Sequence, residues 1–415
     1  MNIRGDIPHA KIENINIPLN RRNLIITGKN GSGKTSFLNS LSNKINIHLK
    51  KEAQNKEDDE KHVAMWIEKQ KNTLIGSLDF TLAQKQIEFH SNRLSKINDG
   101  LRLDFINEYD LIAHYDDLRA VFVSFKAMRM AEIIETKQTS SIEDEKNKAI
   151  QSLKSTNPES FGKKLEQHLV NIKVNQSLAL TEDNNQDQAK QFQEWFDNFD
   201  SHLKFLFENE SAHLVFYRQN FKFKISLDNR EFDFQTLSSG YLAIFEILAD
   251  LLVRSEFFEI TPHELQGIVL IDEIDAHLHI SLQKKIMPFF TRLFPQIQFI
   301  VSTHSPFVIT STDDDTVVYD ISSNEFYEDD LSKYSIESII KELFHVETDS
   351  LNLKNSIDKI YNAIQGHDTN LDILNHELKN LQPYKSKLNP EAKSIYMQAI
   401  NYLIDHEALG SDLDV

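Results

Sequence analysis

Gly28-Lys29-Asn30-Gly31-Ser32-Gly33-Lys34-Thr35 lies between the apolar run Leu24-Ile25-Ile26 and a helical pattern, and this order of strand, glycine loop and helix leaves few folds open. Glycines at these positions let successive backbone N–H groups converge on an anion, and the helix that follows presents its positive end to the same point. Lys34 can reach the outer phosphates of a nucleoside triphosphate, and the Thr35 hydroxyl can ligate magnesium. Gly28, Asn30, Gly31, Ser32, Gly33, Lys34, Thr35 and Ser36 are therefore the candidate phosphate-contacting residues, with ATP and Mg2+ as the expected cofactors.

A second constraint comes from Gly267-Ile268-Val269-Leu270-Ile271-Asp272-Glu273, a buried strand pattern ending in two carboxylates. An acid at such a strand tip can hold magnesium on the phosphates, which assigns Asp272 together with Thr35 as metal ligands. Glu273, one residue further on, points elsewhere and can orient or deprotonate the attacking water. After the apolar run Phe299-Ile300-Val301 comes Ser302-Thr303-His304-Ser305-Pro306, where His304 can hydrogen-bond the terminal phosphate. His277 and His279, just beyond the carboxylates, read as ordinary packing residues. Leu237-Ser238-Ser239-Gly240-Tyr241 precedes an apolar helix. Ser238, Ser239 and Gly240 form either an anion site that closes on the nucleotide of a second copy or a plain serine N-cap.

Composition narrows the function classes. The chain has 415 residues and no cysteine, so disulfides, thiolate metal sites and cysteine nucleophiles are excluded. Single cores stop growing near about 250–300 residues, so a main domain with additions is expected. Acidic residues outnumber basic ones by 63 to 45 for a net charge of -18, a field that repels nucleic acid. Any nucleic-acid contact is expected to be local or made through a partner; Lys50-Lys51 sits beside the acidic run Glu57 to Glu60 and reads as part of a solvated face. No apolar run approaches the roughly 20 residues that span a bilayer. The N-terminus, with Arg4, Asp6 and Pro8, lacks the apolar core of a secretion signal, so a cytoplasmic chain without membrane contact is expected.

Along the chain, the pattern predicts an α/β fold in segments: residues 1–44 with the phosphate loop, a helical insertion over 45–100, strands over 101–135, a second helical insertion over 136–210, the carboxylate and histidine strands over 211–330, and a helical tail over 331–415. Lys11 to Ile17 and Leu24 to Thr27 read as strands, as do Leu111 to His114 and Ala120 to Phe125. In the first insertion, two antiparallel helices are expected to bury Trp66, Leu74, Leu78, Leu82, Phe89 and Leu94 around a turn at Gly76-Ser77. In the second, Asn157-Pro158 and Thr181 to Asp187 interrupt helices, and Trp195, Phe196, Phe199, Leu203, Leu206 and Phe207 mark a packed face. The alternation from Val215 to Leu227, with a turn at Asp228-Asn229, is expected to resume the α/β core.

The order of phosphate loop, Leu-Ser-Ser-Gly, Leu-Ile-Asp-Glu and Ser-Thr-His-Ser-Pro resembles ABC-type ATPase heads of the branch that includes Rad50, SMC proteins, RecF and the OLD-family nucleases. Asp272 to His279 with Thr303-His304-Ser305-Pro306 is especially similar to OLD-like ATPases of bacterial anti-phage systems. The tail beginning Tyr334-Ser335-Ile336-Glu337 is similar to the Septu type, which pairs with an HNH nuclease. The resemblance implies a P-loop ABC-type head with a mostly parallel sheet, an N-terminal antiparallel β portion, helical insertions and a helical C-terminal tail. It implies a homodimer or higher even oligomer that sandwiches ATP, with Ser238 and Gly240 closing the site in trans. It also implies ATP hydrolysis that controls a separate effector, a nuclease of the HNH type, in anti-phage defence or DNA repair. Tyr241 stands where the family carries Gln or Glu, Ser239 replaces a glycine, and no glutamine stands in the place of the family's lobe-linking loop directly after the strand ending at Phe125. Two other readings use the same head: the ATPase subunit of a membrane transporter, and a scaffold that holds ATP without turning it over.

Overall fold

Strands buried on both faces form the centre of the molecule because their sequences carry no polar side to turn toward water. In the computed structural model, which describes residues 1–127, 133–135, 147, 150, 161–347, 349–365 and 371–406, all of β3 (Asn23–Thr27) is buried, as is most of β9 (Gln266–Ile271) and β10 (Ile297–Ser302). With β5 (Ala120–Phe125), β11 (Thr316–Asp320) and β12 (Glu325–Tyr327) they make a six-stranded sheet ordered β12-β11-β3-β10-β9-β5. Every pairing in it is parallel except that of the edge strand β12. Ser302 pairs with Ile26, Val301 with Ile271 and Ile271 with Phe125, so the C-terminal ends of β3, β10, β9 and β5 lie level. Gly267 has φ +134, and a Cβ there would stand 2.0 Å from the Val121 carbonyl oxygen, so the β5–β9 approach requires glycine.

Helix α1 (Lys34–Leu49) springs directly from the glycine loop. Its Phe37, Leu41 and Ile45, at one-turn spacing, share a core with Ile3, Ile15 and Ile17 of a three-stranded antiparallel sheet, β2-β1-β4 (Asn2–Ile7, Ile12–Pro18 and Leu101–Asp104 for β1, β2 and β4). The mostly parallel sheet and the antiparallel N-terminal portion are thus as expected. Strand β1 escapes the sequence pattern because only Ile3 and Ile7 interrupt its polar residues.

The first insertion is a helical hairpin of α2 (Lys56–Lys71) and α3 (Leu78–Asn98), with Ser77 capping the second helix by accepting from the Phe80 N–H at 3.1 Å. Its apolar residues are not buried as expected: Leu74, Leu78, Leu82 and Phe89 are 85%, 91%, 46% and 55% exposed, and Trp66 and Leu94 are half-buried. Two helices share a single contact seam, and here only Asp59 and Ala83 are fully buried within them. Leu111 to His114 is likewise not a strand; it lies inside helix α4 (Glu108–Asp116), whose start is fixed by Asn107 accepting from the Asp110 N–H at 3.2 Å. A side-chain cap followed by acidic first-turn residues outweighs four residues of strand-prone composition.

Asn157-Pro158 falls outside the described residues. In the rest of the second insertion, α5 (Leu165–Thr181) and α6 (Gln186–Phe207) flank the polar interruption, and α6 buries Phe196, Phe199, Leu203 and Leu206. Strands β6 (His213–Tyr217), β7 (Lys222–Leu227) and β8 (Arg230–Phe232) form their own antiparallel sheet, joined through Asp228 and Asn229 in the left-handed region. The α/β core therefore does not resume at Val215. Phe223 and Ile225 are buried while Lys222 and Lys224 are not, the alternation of a one-faced sheet, and the parallel core returns only at β9. Helix α7 (Ser239–Phe257) is buried along most of its length, and α8 (Ile286–Leu293) connects β9 to β10.

The contacts divide the chain into Met1–Ile339 and Ile340–Val415. In the second unit, α9 (Leu351–Ile364), α10 (Leu371–Leu381) and α11 (Pro390–Asp405) enclose Ile360, Leu374, Leu378, Tyr396, Ile400 and Leu403. Pro390 opens α11 directly after the cap residue Asn389, where its missing N–H costs nothing. Among the described residues no helix is long and apolar enough to cross a membrane.

Candidate nucleotide site

Level strand ends bring three separate motifs to one point. Asp272, just past β9, is fixed by its N–H donating to the Phe125 carbonyl at 2.9 Å. Its Oδ2 accepts from Thr35 Oγ1 at 2.7 Å and its Oδ1 from Ser302 Oγ at 2.5 Å. Ser302 Oγ in turn accepts from the Glu273 N–H at 2.7 Å, and Glu273 takes a left-handed φ of 48° at the strand end. Beside them Thr303 Oγ1 donates to Asp275 Oδ1 at 2.5 Å.

The loop holds its lysine ready. Lys34 is 7% exposed, and its Nζ donates to the Gly28 and Lys29 carbonyls at 3.0 and 3.1 Å. Burial lowers the Lys34 ammonium from its ordinary pKa, while Glu273, Asp272, Asp320 and Asp275 pull it back up. Gly28, Gly31 and Gly33 all have positive φ, and Asn30 is exposed at the loop tip. Ser36 is half-buried in the first turn of α1. His304 lies within electrostatic range of the same groups: burial, then Lys34, lowers its pKa, against the opposing pull of Asp275, Glu273 and Asp272.

This arrangement fits a magnesium-bound triphosphate. Ser32 Oγ is buried with no hydrogen-bond partner, a cost that a phosphate oxygen would relieve. Thr35 Oγ1 and Asp272 Oδ2, 2.7 Å apart, have nearly the spacing of adjacent ligands on octahedral magnesium, about 2.9 Å. They border a cavity of about 290 Å³ that Asn39, Ser124 and Lys126 also line.

Ser238 and Ser239 are exposed at the start of α7. Ser238 occupies the cap position, yet its side chain makes no capping hydrogen bond, so the plain N-cap reading does not describe it. Gly240 is pressed against the turn after β9: a Cβ on it would stand 2.6 Å from the His277 carbonyl oxygen. Tyr241 stacks on Phe207 with ring centroids 4.4 Å apart, which gives this departure from the family pattern a packing role against α6. Among the described residues no hydrogen bond joins Ser238–Gly240 to the phosphate loop of the same chain. His279 accepts from the Ser281 N–H at 3.3 Å and caps the short helix Ile280–Gln283.

Lys34, Thr35, Asp272, Glu273 and His304 therefore gather at one end of the sheet, while Ser238, Ser239 and Gly240 open α7, with Gly240 against the turn after β9. Sequence reasoning passed over Ser302 and Thr303, although hydroxyls directly after a buried strand and directly before His304 were the available signal. It also passed over Asn39, one helical turn beyond Thr35, and Lys126, which follows Phe125 where a glutamine was sought.

The sequence profile of the family described as "AAA domain, putative AbiEii toxin, Type IV TA system" matches residues 24–310. The "Retron Ec83 probable ATPase" of Escherichia coli is 43% identical over 84 residues, covering 20% of this chain and 16% of that protein. The "Septu protein PtuA" of Bacillus mycoides (strain KBAB4) is 28% identical over 180 residues, 41% of this chain and 25% of the relative. The matched stretch thus spans a quarter or less of the length of these curated relatives. Among solved structures, an SMC head bound to the C-winged helix domain of ScpA superimposes with a TM-score of 0.35 at 13% identity, over 80% of this chain and 98% of that one.

Proposed function

The chain belongs to this AAA-domain family, and on that basis we propose that it is an ATP-hydrolysing switch whose two heads close on Mg-ATP and control a separate effector. One observation carries the reading: Thr35, from the phosphate loop, and Asp272, 237 residues later, meet at 2.7 Å with Ser302 bracing the carboxylate. No packing need explains a buried acid held by two hydroxyls, whereas a magnesium site requires such an oxygen set. Thr35 and Asp272 would hold the ion, which would neutralise charge developing on the phosphates.

The chain's own groups do the rest. Lys34 leaves the Gly28 and Lys29 carbonyls for phosphate oxygens. Glu273 takes a proton from water as its oxygen bonds to the terminal phosphorus and the bridging oxygen departs with ADP, and the proton then passes to the released phosphate. His304 hydrogen-bonds the terminal phosphate and senses its loss. Ser238 and Ser239, exposed at the start of α7, and Gly240 beside them close the nucleotide of the partner in an isologous dimer. Closure shifts the helical insertions and so reaches the effector, which the motif resemblance suggests is a nuclease of the HNH type acting in anti-phage defence or DNA repair.

Replacing exposed Ser238 by Arg tests the closure. Sedimentation of the wild type with Mg2+ and a slowly hydrolysed ATP analogue is expected to show dimers. Ser238→Arg is expected to stay monomeric while binding the analogue within about threefold of wild type, since the substitution leaves the phosphate loop untouched. Equal dimerisation of both proteins would remove Ser238 from the interface.

A further inference from the structure

The α2–α3 hairpin carries a cluster that the nucleotide site does not use. Asp59 and His62 stand three residues apart on α2 and so share a face, and His90 of α3 meets them. His90 Nδ1 lies 2.7 Å from Asp59 Oδ1, the His62 and His90 rings stack with centroids 4.8 Å apart, and one donor atom from each of the three residues lies within 4.8 Å of the others. Asp59 is the telling member. Its side chain is 3% exposed and Arg93 Nη1 approaches its Oδ1 at 3.4 Å, yet its Oδ2 is buried with no hydrogen-bond partner. An unsatisfied carboxylate oxygen is costly in a hairpin whose only other fully buried residue is Ala83, and a bound cation would satisfy it.

We propose that Asp59, His62 and His90 bind one divalent cation of the zinc class, with Asp59 Oδ2 and one ring nitrogen of each histidine as ligands and a fourth position open to solvent. Two imidazoles and one carboxylate select borderline transition metals over magnesium or calcium, which take oxygen ligands. Adjacent ligands on tetrahedral zinc lie about 3.3 Å apart, so donor atoms already within 4.8 Å of one another close on an ion by local side-chain rotation, with His62 the exposed member. Arg93, retained on Asp59 Oδ1, leaves Oδ2 turned to the metal and steadies the carboxylate. The ion would link α2 to α3 across a seam with little apolar core. The proposal is independent of how the chain uses ATP.

The test strips the full-length chain with a chelator and titrates it with Co2+ and then Zn2+, keeping excess Mg2+ present to fill the oxygen site at Thr35 and Asp272. The expected result is about one ion per chain, with the visible absorption of cobalt bound by nitrogen and oxygen. His62→Ala, at an exposed position and with its fold checked by circular dichroism, is expected to lower the affinity at least about tenfold. His279→Ala, which removes an exposed imidazole elsewhere, is expected to bind as wild type does. No stoichiometric binding, equal binding by His62→Ala, or an equal loss in His279→Ala would each overturn the assignment.

Discussion

Glu273→Gln is expected to slow ATP turnover by about a thousandfold while leaving ATP bound, because general-base groups contribute roughly 10²–10⁴ to such reactions and the amide keeps the shape of the acid without its basicity. The backbone is unaffected: the Glu273 N–H still donates to Ser302 Oγ, and the left-handed φ of 48° at the strand end is kept. On the proposed closure of two heads, blocked hydrolysis should also make the variant accumulate as dimer in ATP. Single-turnover phosphate release measures the first effect and sedimentation the second. A variant that hydrolyses at the wild-type rate would transfer the proton to some other group.

Lys34→Ala is expected to weaken Mg-ATP binding by at least about a hundredfold. A charge-assisted hydrogen bond contributes about 1.5–3 kcal/mol, and Lys34 offers more than one to the phosphates. Among the described residues the ammonium is bonded only to the Gly28 and Lys29 carbonyls, groups that belong to the loop and not to the core, so the fold should survive the change. Equilibrium binding of labelled ATP, beside an unchanged circular dichroism spectrum, separates lost affinity from lost structure. Retention of affinity would place the phosphates outside the loop.

The readable parts of the sequence were those where backbone and burial act on their own residues. Leu24 to Ile26 and Gly267 to Ile271 are apolar throughout, which marks them as strands covered on both faces, and the glycines between Gly28 and Gly33 admit few loops. Once those strands are parallel and level, Thr35, Asp272 and His304 must converge. Leu74, Leu78 and Phe89 misled because hydrophobicity reports burial only when a facing layer exists, and the hairpin has none beyond its own seam. Leu111 to His114 misled because the cap at Asn107 acts from outside the window of the pattern. Tyr241 was illegible for a third reason: its stacking partner, Phe207, is remote in sequence, so what looked like a degraded signature is a packing residue. Asp59, His62 and His90 were hidden in the same way, since two helices had to pair before the three could meet.

The absence of cysteine makes the central claim directly measurable. Cysteines placed at Asn30, on the exposed tip of the loop, and at Ser238, in the Glu273→Gln background, would be the only thiols for a short bismaleimide to join. With Mg-ATP, cross-linked dimers should form rapidly, and the yield should fall to background without nucleotide. Cross-linking that is equally low with and without ATP, in a protein shown to bind it, would mean that Ser238 of one copy never meets the loop of another.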